Sequence, residues 1–245
     1  MDFNVEEIDF EEFKCPAYYD GCSPCSGAFI VNRLNIKTGE RKKVANLNDC
    51  GNAFIYQSKD HIFIITNEYY NHLCISIFDN ELEPVGFIKD YGNVLNQYSL
   101  DEYDGTIRVV STINRNDVKN CLSVYSIDTL ERIGYLDECL GLERQTVRSV
   151  RFDKDICYVC TYATSDPLYE ISLVDKCNPY IVSQYASPGY SSYLHPFEIN
   201  GKSYLLGYGF VDGGGARKIS VYEKTNNGTV QIGNDVVING GTLSL

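Results

Sequence analysis

A short apolar strand recurs along this chain at a nearly constant interval. Ile75-Ser-Ile-Phe78, Leu122-Ser-Val-Tyr125, Tyr169-Glu-Ile-Ser172 and Ile219-Ser-Val-Tyr222 begin 47, 47 and 50 residues apart. Before each comes a polar turn followed by another apolar strand, over Tyr56 to Thr66, Asp101 to Thr112, Phe152 to Thr161 and Glu198 to Tyr208. The stretch from Thr146 to Tyr208 holds the unit in full. Strands are predicted over Val147 to Phe152, Ile156 to Tyr162, Leu168 to Val174 and Tyr180 to Tyr185. Turns are predicted at Asp153 to Asp155 and Asp175 to Pro179, with a chain break at Ser165-Asp166-Pro167. A period of roughly 40–50 residues with four strands per unit predicts an all-β chain of stacked sheets, a β-propeller. One such sheet has two faces to bury and needs a like sheet on each side.

The blades are expected at about 50–91, 93–137, 144–186 and 191–235. Ala28 to Leu34 and Arg41 to Leu47 pair across Lys37-Thr-Gly-Glu40 as a hairpin with no inner strands. Residues 1–26 form a separate acidic, Cys-containing segment, and the propeller domain covers 27–245. The tail from Gly241 to Leu245 is too short to supply two inner strands. The expectation is therefore an open or partial propeller of about four and a half blades, although a tight four-bladed ring with an extra hairpin uses the same strands. An open arc leaves an apolar face bare, which invites self-association.

The net charge of −12 opposes non-specific attraction to nucleic acid or an anionic membrane. No apolar run approaches the roughly 18 residues of a membrane span. The N-terminus, MDFNVEEIDFEEF, has no basic or apolar region of the secretory type, so no secretory signal is read there. Cys74, Cys121, Cys157 and Cys160 fall inside predicted strands, where a free thiol acts as a small hydrophobe. That usage suits a reducing compartment better than a disulfide framework. Cys22-Ser-Pro-Cys25, with Cys15 and Cys50, has the spacing of a zinc knuckle or a dithiol, but no second close pair follows. Cys157 and Cys160 are expected on opposite faces of one strand, since i and i+3 diverge there. No cofactor and no metal site are read from the sequence.

Two blocks resemble a known family. One is Asn96-Gln-Tyr-Ser-Leu-Asp-Glu-Tyr-Asp-Gly-Thr-Ile-Arg-Val-Val-Ser-Thr112. The other comprises Val150-Arg-Phe, Tyr158-Val-Cys-Thr161, Asp166-Pro-Leu168, Asn178-Pro179 and Pro188-Gly-Tyr-Ser-Ser-Tyr-Leu-His-Pro196. In order and spacing they are similar to prokaryotic secreted proteins with a C-terminal β-propeller domain, distantly related to WD40 repeats. The resemblance runs from about Ala28 to Val237. It implies a propeller and an extracytoplasmic setting, and it brings no established activity. The chain departs from the family's usual greater length, its leader or anchor, and its lower cysteine content.

In a propeller, the loops into the inner strands and those between second and third strands open on one end, where ligands gather. The candidate ligand-binding residues there are Asn96, Gln97, Arg148, Asp166, Tyr190, Tyr193 and His195. Asp166 also reads as a turn anchor. His195, one of three histidines, reads more simply as a hydrogen-bonded structural residue than as a base or ligand. The Asp101-Glu-Tyr-Asp-Gly105 cluster reads as a hairpin tip rather than a calcium loop. No Gly-x-Ser-x-Gly and no His-Glu-x-x-His is present. The expected function is a non-catalytic binding module for a protein, peptide or glycan. The alternative is a hydrolase or lyase at the channel mouth near His195, Arg148 and Asp166.

Overall fold

The computed structural model describes residues 27–49, 53–68, 71–114, 117–137, 140–141, 144–162, 166–212 and 215–238. The segment 1–26, Cys50, Cys139 and the tail beyond 238 lie outside them, and with them the Cys-x2-Cys pair. The described chain is almost entirely strand. A hairpin, β1 (Gly27–Leu34) and β2 (Arg41–Asp49), comes first. Blade 1 holds β3 (Ala53–Gln57), β4 (His61–Glu68), β5 (His72–Asp79) and β6 (Pro84–Tyr91). Blade 2 holds β7 (Leu100–Tyr103), β8 (Thr106–Asn114), β9 (Val118–Ser126) and β10 (Arg132–Leu136). Blade 3 holds β11 (Thr146–Asp153), β12 (Ile156–Tyr162), β13 (Asp166–Ser172) and β14 (Tyr180–Ser187). Blade 4 holds β15 (Tyr190–Ile199), β16 (Lys202–Phe210), β17 (Arg217–Thr225) and β18 (Gly228–Gln231). A short β19 (Val236–Ile238) pairs along β17 beyond the end of β18.

The hairpin tips follow from local chemistry. Asp104-Gly105 and Asn200-Gly201 both have positive φ at both residues, +47° and +73° in the first and +52° and +74° in the second. That is the two-residue turn whose twist matches its flanking strands, and Asp-Gly or Asn-Gly is its favoured sequence. Asp101 to Gly105 is thus a hairpin end, with both early carboxylates engaged by protein donors (below). Asp166 and Pro167, expected as a break, are instead the first residues of β13, opposite Ser187 and Ala186. The β12–β13 ladder stops at Leu168, so the proline sits just beyond it, at a strand start where a missing N–H is tolerated.

Packing is serial. One apolar cluster joins Phe63, Ile75 and Ile77 of blade 1 to Leu100, Ile107 and Val109 of blade 2. A second joins Val110, Leu122 and Val124 of blade 2 to Val150, Cys157 and Val159 of blade 3. A third joins Tyr158, Cys160 and Leu168 of blade 3 to Leu194, Leu205 and Tyr222 of blade 4. Cys157 and Cys160 therefore face opposite neighbours, and both are buried. The sheets do not close into a ring. Residues of both parities are buried along the middle of β8, β9 and β12. In β16 and β17 only the parity facing blade 3 is buried, and the other is half-exposed. Blade 4 thus ends the described arc with one face partly covered.

Polar side chains fasten the blades at fixed points. Asn67 of β4 donates to the Val94 carbonyl and accepts from the Val94 N–H, both at 2.9 Å. Asn120 of β9 donates to the carbonyls of Leu140 and Gln145 at 3.0 and 2.9 Å. Each amide therefore fixes the crossover that leads into the next blade's inner strand.

At the opposite end of the blades, Arg108 of β8 is 3% exposed. Its guanidinium donates to the Asp101 carboxylate and to the Lys154 carbonyl of blade 3. It lies 4.9 Å from the Tyr103 ring centre and 5.0 Å from that of Phe152. Asp101 also accepts from the Tyr56 hydroxyl of blade 1 at 3.0 Å, so the Asp101–Arg108 pair links three blades. Glu102 beside it takes His61 Nδ1 at 2.8 Å and the Ser58 hydroxyl.

Two predictions follow from this network. Removing one member of a buried charge pair strands the other, which costs about 3–5 kcal/mol when both are fully buried. Asp101 is partly exposed, so Arg108→Ala is expected to lower the unfolding free energy by about 3 kcal/mol. Arg108→Met, which restores apolar volume, should lose less. Urea unfolding followed by tyrosine fluorescence decides it, and a change within about 0.5 kcal/mol for Arg108→Ala would contradict the role given to the network.

Burial, reinforced by the Asp101 carboxylate, pushes the Tyr56 phenol up to about 12 from 10.0. The fold holds the neutral phenol more tightly than the unfolded chain does. Its contribution is therefore full below pH 10 and is lost as pH rises through about 12. Burial raises Tyr125 and Tyr158 as well. Tyr56→Phe should remove part of the alkaline fall in stability, measured as urea midpoint against pH. An unchanged slope would rule Tyr56 out as a contributor.

Candidate functional site

The inner strands of blades 3 and 4 carry matching irregularities. β11 shifts register between Val147 and Ser149, and β15 between Ser191 and Tyr193. A bulge of this kind breaks the alternation and re-aims one side chain. In β11 the displaced residue is Arg148, which is exposed while Val147 and Ser149 on either side of it are buried. The two bulges lie side by side, since Ser149 donates to the Ser191 carbonyl at 2.7 Å.

Arg148 is turned onto aromatic rings. Its guanidinium lies 5.9 Å from the Tyr162 ring centre and 5.6 Å from that of Tyr190. Tyr162 and Tyr190 are 4.7 Å apart, and Tyr190 stacks on Phe210 at 5.1 Å. Arg217 closes the stack, 3.7 Å from the Phe210 ring centre. The Tyr162 hydroxyl reaches Asp212 at 3.5 Å. These six residues come from the starts or ends of β11, β12, β15, β16 and β17 and from the loop after β16. All lie at the end of the blades where the crossovers open. Each contact of a guanidinium with a ring face is worth about 0.5–1 kcal/mol at an exposed site. Their main effect is to hold flexible side chains in one orientation.

A second group lies farther along the same inner strands. Tyr193 and His195, two apart on β15, point the same way and stack at 6.3 Å. The Tyr193 hydroxyl and His195 Nδ1 are 3.4 Å apart. Tyr193 also meets Tyr98 edge-on at 6.2 Å, and Arg151 of β11 lies 5.3 Å from the Tyr98 ring centre. Tyr98 belongs to a short 3-10 helix, Gln97–Ser99, whose N-cap is Asn96. The Asn96 side chain accepts from the Tyr98 N–H at 3.0 Å and so positions that ring. The helix packs on β11, β3 and β8, which brings the entry to blade 2 against the inner strand of blade 3.

Of the residues expected at the site, Arg148 and Tyr190 fall in the first group, and Tyr193, His195 and, through its cap, Asn96 in the second. Gln97 is half-buried in the 3-10 helix. Asp166 lies at the start of β13, in line with the other strand ends of blade 3. Sequence reasoning missed Tyr98, Arg151, Tyr162, Phe210 and Arg217. The available signal was positional, because Tyr162 and Phe210 end the second strands of their blades. Among the described residues His195 has no carboxylate partner, and no group of three metal-ligating side chains forms. No helix there is long and apolar enough to cross a membrane.

A family model described as "Beta propeller domain" matches residues 9–239. A protein of Archaeoglobus fulgidus, itself uncharacterised, is 33% identical over 185 residues, or 76% of this chain and 28% of its own length. An uncharacterised protein of Methanocaldococcus jannaschii is 37% identical over 137 residues, or 54% of this chain and 21% of its own. The matched part of the chain thus spans about a quarter of these curated relatives. Among solved structures, a mutant of ACO, the apocarotenoid oxygenase of Synechocystis, aligns with a TM-score of 0.51. The alignment covers 84% of this chain and 55% of that one at 9% identity, a likeness of fold alone.

Proposed function

This chain belongs to the beta propeller domain family, and from that premise we propose that it is a non-catalytic binding module. Its ligand, a protein, peptide or glycan, docks on the blade end where Arg148, Tyr190 and Tyr193 project. The observation that carries the reading is the composition and order of that surface. Tyrosine and arginine dominate the energetics of binding surfaces, because they offer large, partly rigid contact area with a polar edge. Here cation–π contacts and ring stacking already fix them, so little rotamer freedom is left to lose on association. The 3-10 helix capped by Asn96 extends the surface with Tyr98 and Gln97. The resemblance to exported propeller proteins with WD40-like repeats supports a partner met outside the cytoplasm.

A hydrolase or lyase centred on His195 is the weaker reading. A general base needs a partner that orients it and raises its basicity. The recorded partner of His195 is the Tyr193 hydroxyl, 3.4 Å away.

The reading is tested on peptide and glycan arrays probed with the wild-type chain and with an Arg148→Ala, Tyr193→Ala double variant. The wild type should give a discrete set of ligands, which the variant binds at least about tenfold more weakly. Its melting temperature should stay within about 2 °C, because both residues are exposed. The same ligands bound equally by both proteins, or a variant that unfolds, would overturn the assignment.

A further inference from the structure

Two arginines elsewhere in the described chain meet carboxylates as well as ring faces. Arg108 donates to Asp101, and Arg132 lies 3.6 Å from Asp90. Arg148, Arg151 and Arg217 are held instead by ring faces, with no acceptor for their N–H groups among the described residues. Asp212, the carboxylate nearest in this cluster, takes the Tyr162 hydroxyl and forms no ion pair among those residues. In a chain of net charge −12, carboxylates are plentiful. Guanidiniums spared from them at one end of two adjacent blades form a local positive strip on an acidic body.

The chemistry of the contact bears on which part of the arginine is on offer. A guanidinium lying on a ring uses its flat face there and leaves its in-plane N–H fork pointing outward. That fork matches a carboxylate with two parallel hydrogen bonds. The rings themselves are largely taken. Phe210 is covered by Tyr190 on one side and contacted by Arg217 at 3.7 Å, and Tyr193 is stacked by His195. A sugar ring needs a free aromatic face to stack on, and Tyr190 and Phe210 have little left. A densely charged polyanion such as nucleic acid would be repelled by the rest of the molecule.

We propose that this strip recognises an acidic peptide segment, whose spaced Asp or Glu carboxylates are held by the forks of Arg148, Arg151 and Arg217. The proposal rests on the reading of this blade end as the binding surface and names what that surface reads. Peptide carboxylates occur singly along a chain of neutral polar groups. Tyr162 beside Arg148 and Tyr98 beside Arg151 add hydroxyls that can meet those groups.

The test uses fluorescence anisotropy with three labelled probes of matched length: a glutamate-containing peptide, its glutamine counterpart and an oligogalacturonate. The glutamate peptide should bind the full chain and the glutamine peptide should not. Arg148→Gln with Arg217→Gln should weaken binding at least about tenfold, and Arg148→Lys, which keeps the charge and loses the fork, should weaken it measurably. Affinity should fall with added salt. Unchanged binding in the double glutamine variant would overturn the proposal, as would equal binding of the glutamine peptide. Tighter binding of the oligogalacturonate would replace the peptide with an acidic glycan. If an array ligand binds through Arg148 and Tyr193 while the glutamate peptide does not, the surface stands as a binding site and the acidic-peptide inference falls.

Discussion

A β-sheet that is apolar at both residue parities has to be covered on both sides, and the middle strands of this chain are of that kind. Cys157, Val159 and Thr161 face one neighbour while Tyr158 and Cys160 face the other, and every one is buried. A lone blade would expose one of these sets. At about 25 cal/mol per Å² of apolar surface, that exposure is comparable to the net stability of a small domain. The fold therefore propagates blade by blade, each of the three larger apolar clusters shared by two consecutive sheets. Where the described chain reaches blade 4, the propagation stops and the outer parity of β16 and β17 is left half-exposed.

Apolar contact is not directional, so it does not fix how one blade sits against the next. Directional side chains at the interfaces do that. Asn67 and Asn120 each bind crossover backbone with an amide, and Arg108 binds a carbonyl of the following blade. On the other side of blade 3, Glu170 is buried and accepts from Thr229 of blade 4 at 2.6 Å. In blade 4 the gap between β18 and β19 brings in Asp235, which accepts from Ser220 at 2.7 Å and lies 3.4 Å from the fully buried Lys218 amine. A buried polar group left without its partner costs about 1–3 kcal/mol, so the contacts that run between blades penalise a slipped or rotated blade, while those of Asp235 hold the end of blade 4 together. The same fixed phase sets the β11 and β15 bulges side by side and brings Arg148 onto Tyr190.

The candidate surface was only partly legible in the linear chain. Arg148, Tyr190, Tyr193 and His195 could be assigned to one end of the blades because strand order alone says which loops share an end. Their partners could not be read. Tyr98 and Tyr193 are far apart in sequence and meet only because the 3-10 helix folds inward against β11. Nor does the sequence say that β11 shifts register beside Arg148 and lies there against the matching shift in β15. Asp166 was misread because Asp-Pro is a turn signal in isolation. It becomes compatible with a strand once the β12–β13 ladder is seen to end at Leu168.

The linear order of residues determined the repeat, the strands, the hairpin tips and the parity of each buried side chain. All of these depend on neighbours within a few positions or on a period of some tens of residues. It also determined that Cys157 and Cys160 face apart, since two residues three apart on a regular strand point to opposite faces. The half-covered last blade, the Asp101–Arg108 pair that links three blades and the row of arginines on aromatic rings were decided by the packed molecule. Each requires side chains from different blades to arrive at one point. That arrival is set by the angle and offset at which successive sheets stack, and no local property of the sequence encodes it.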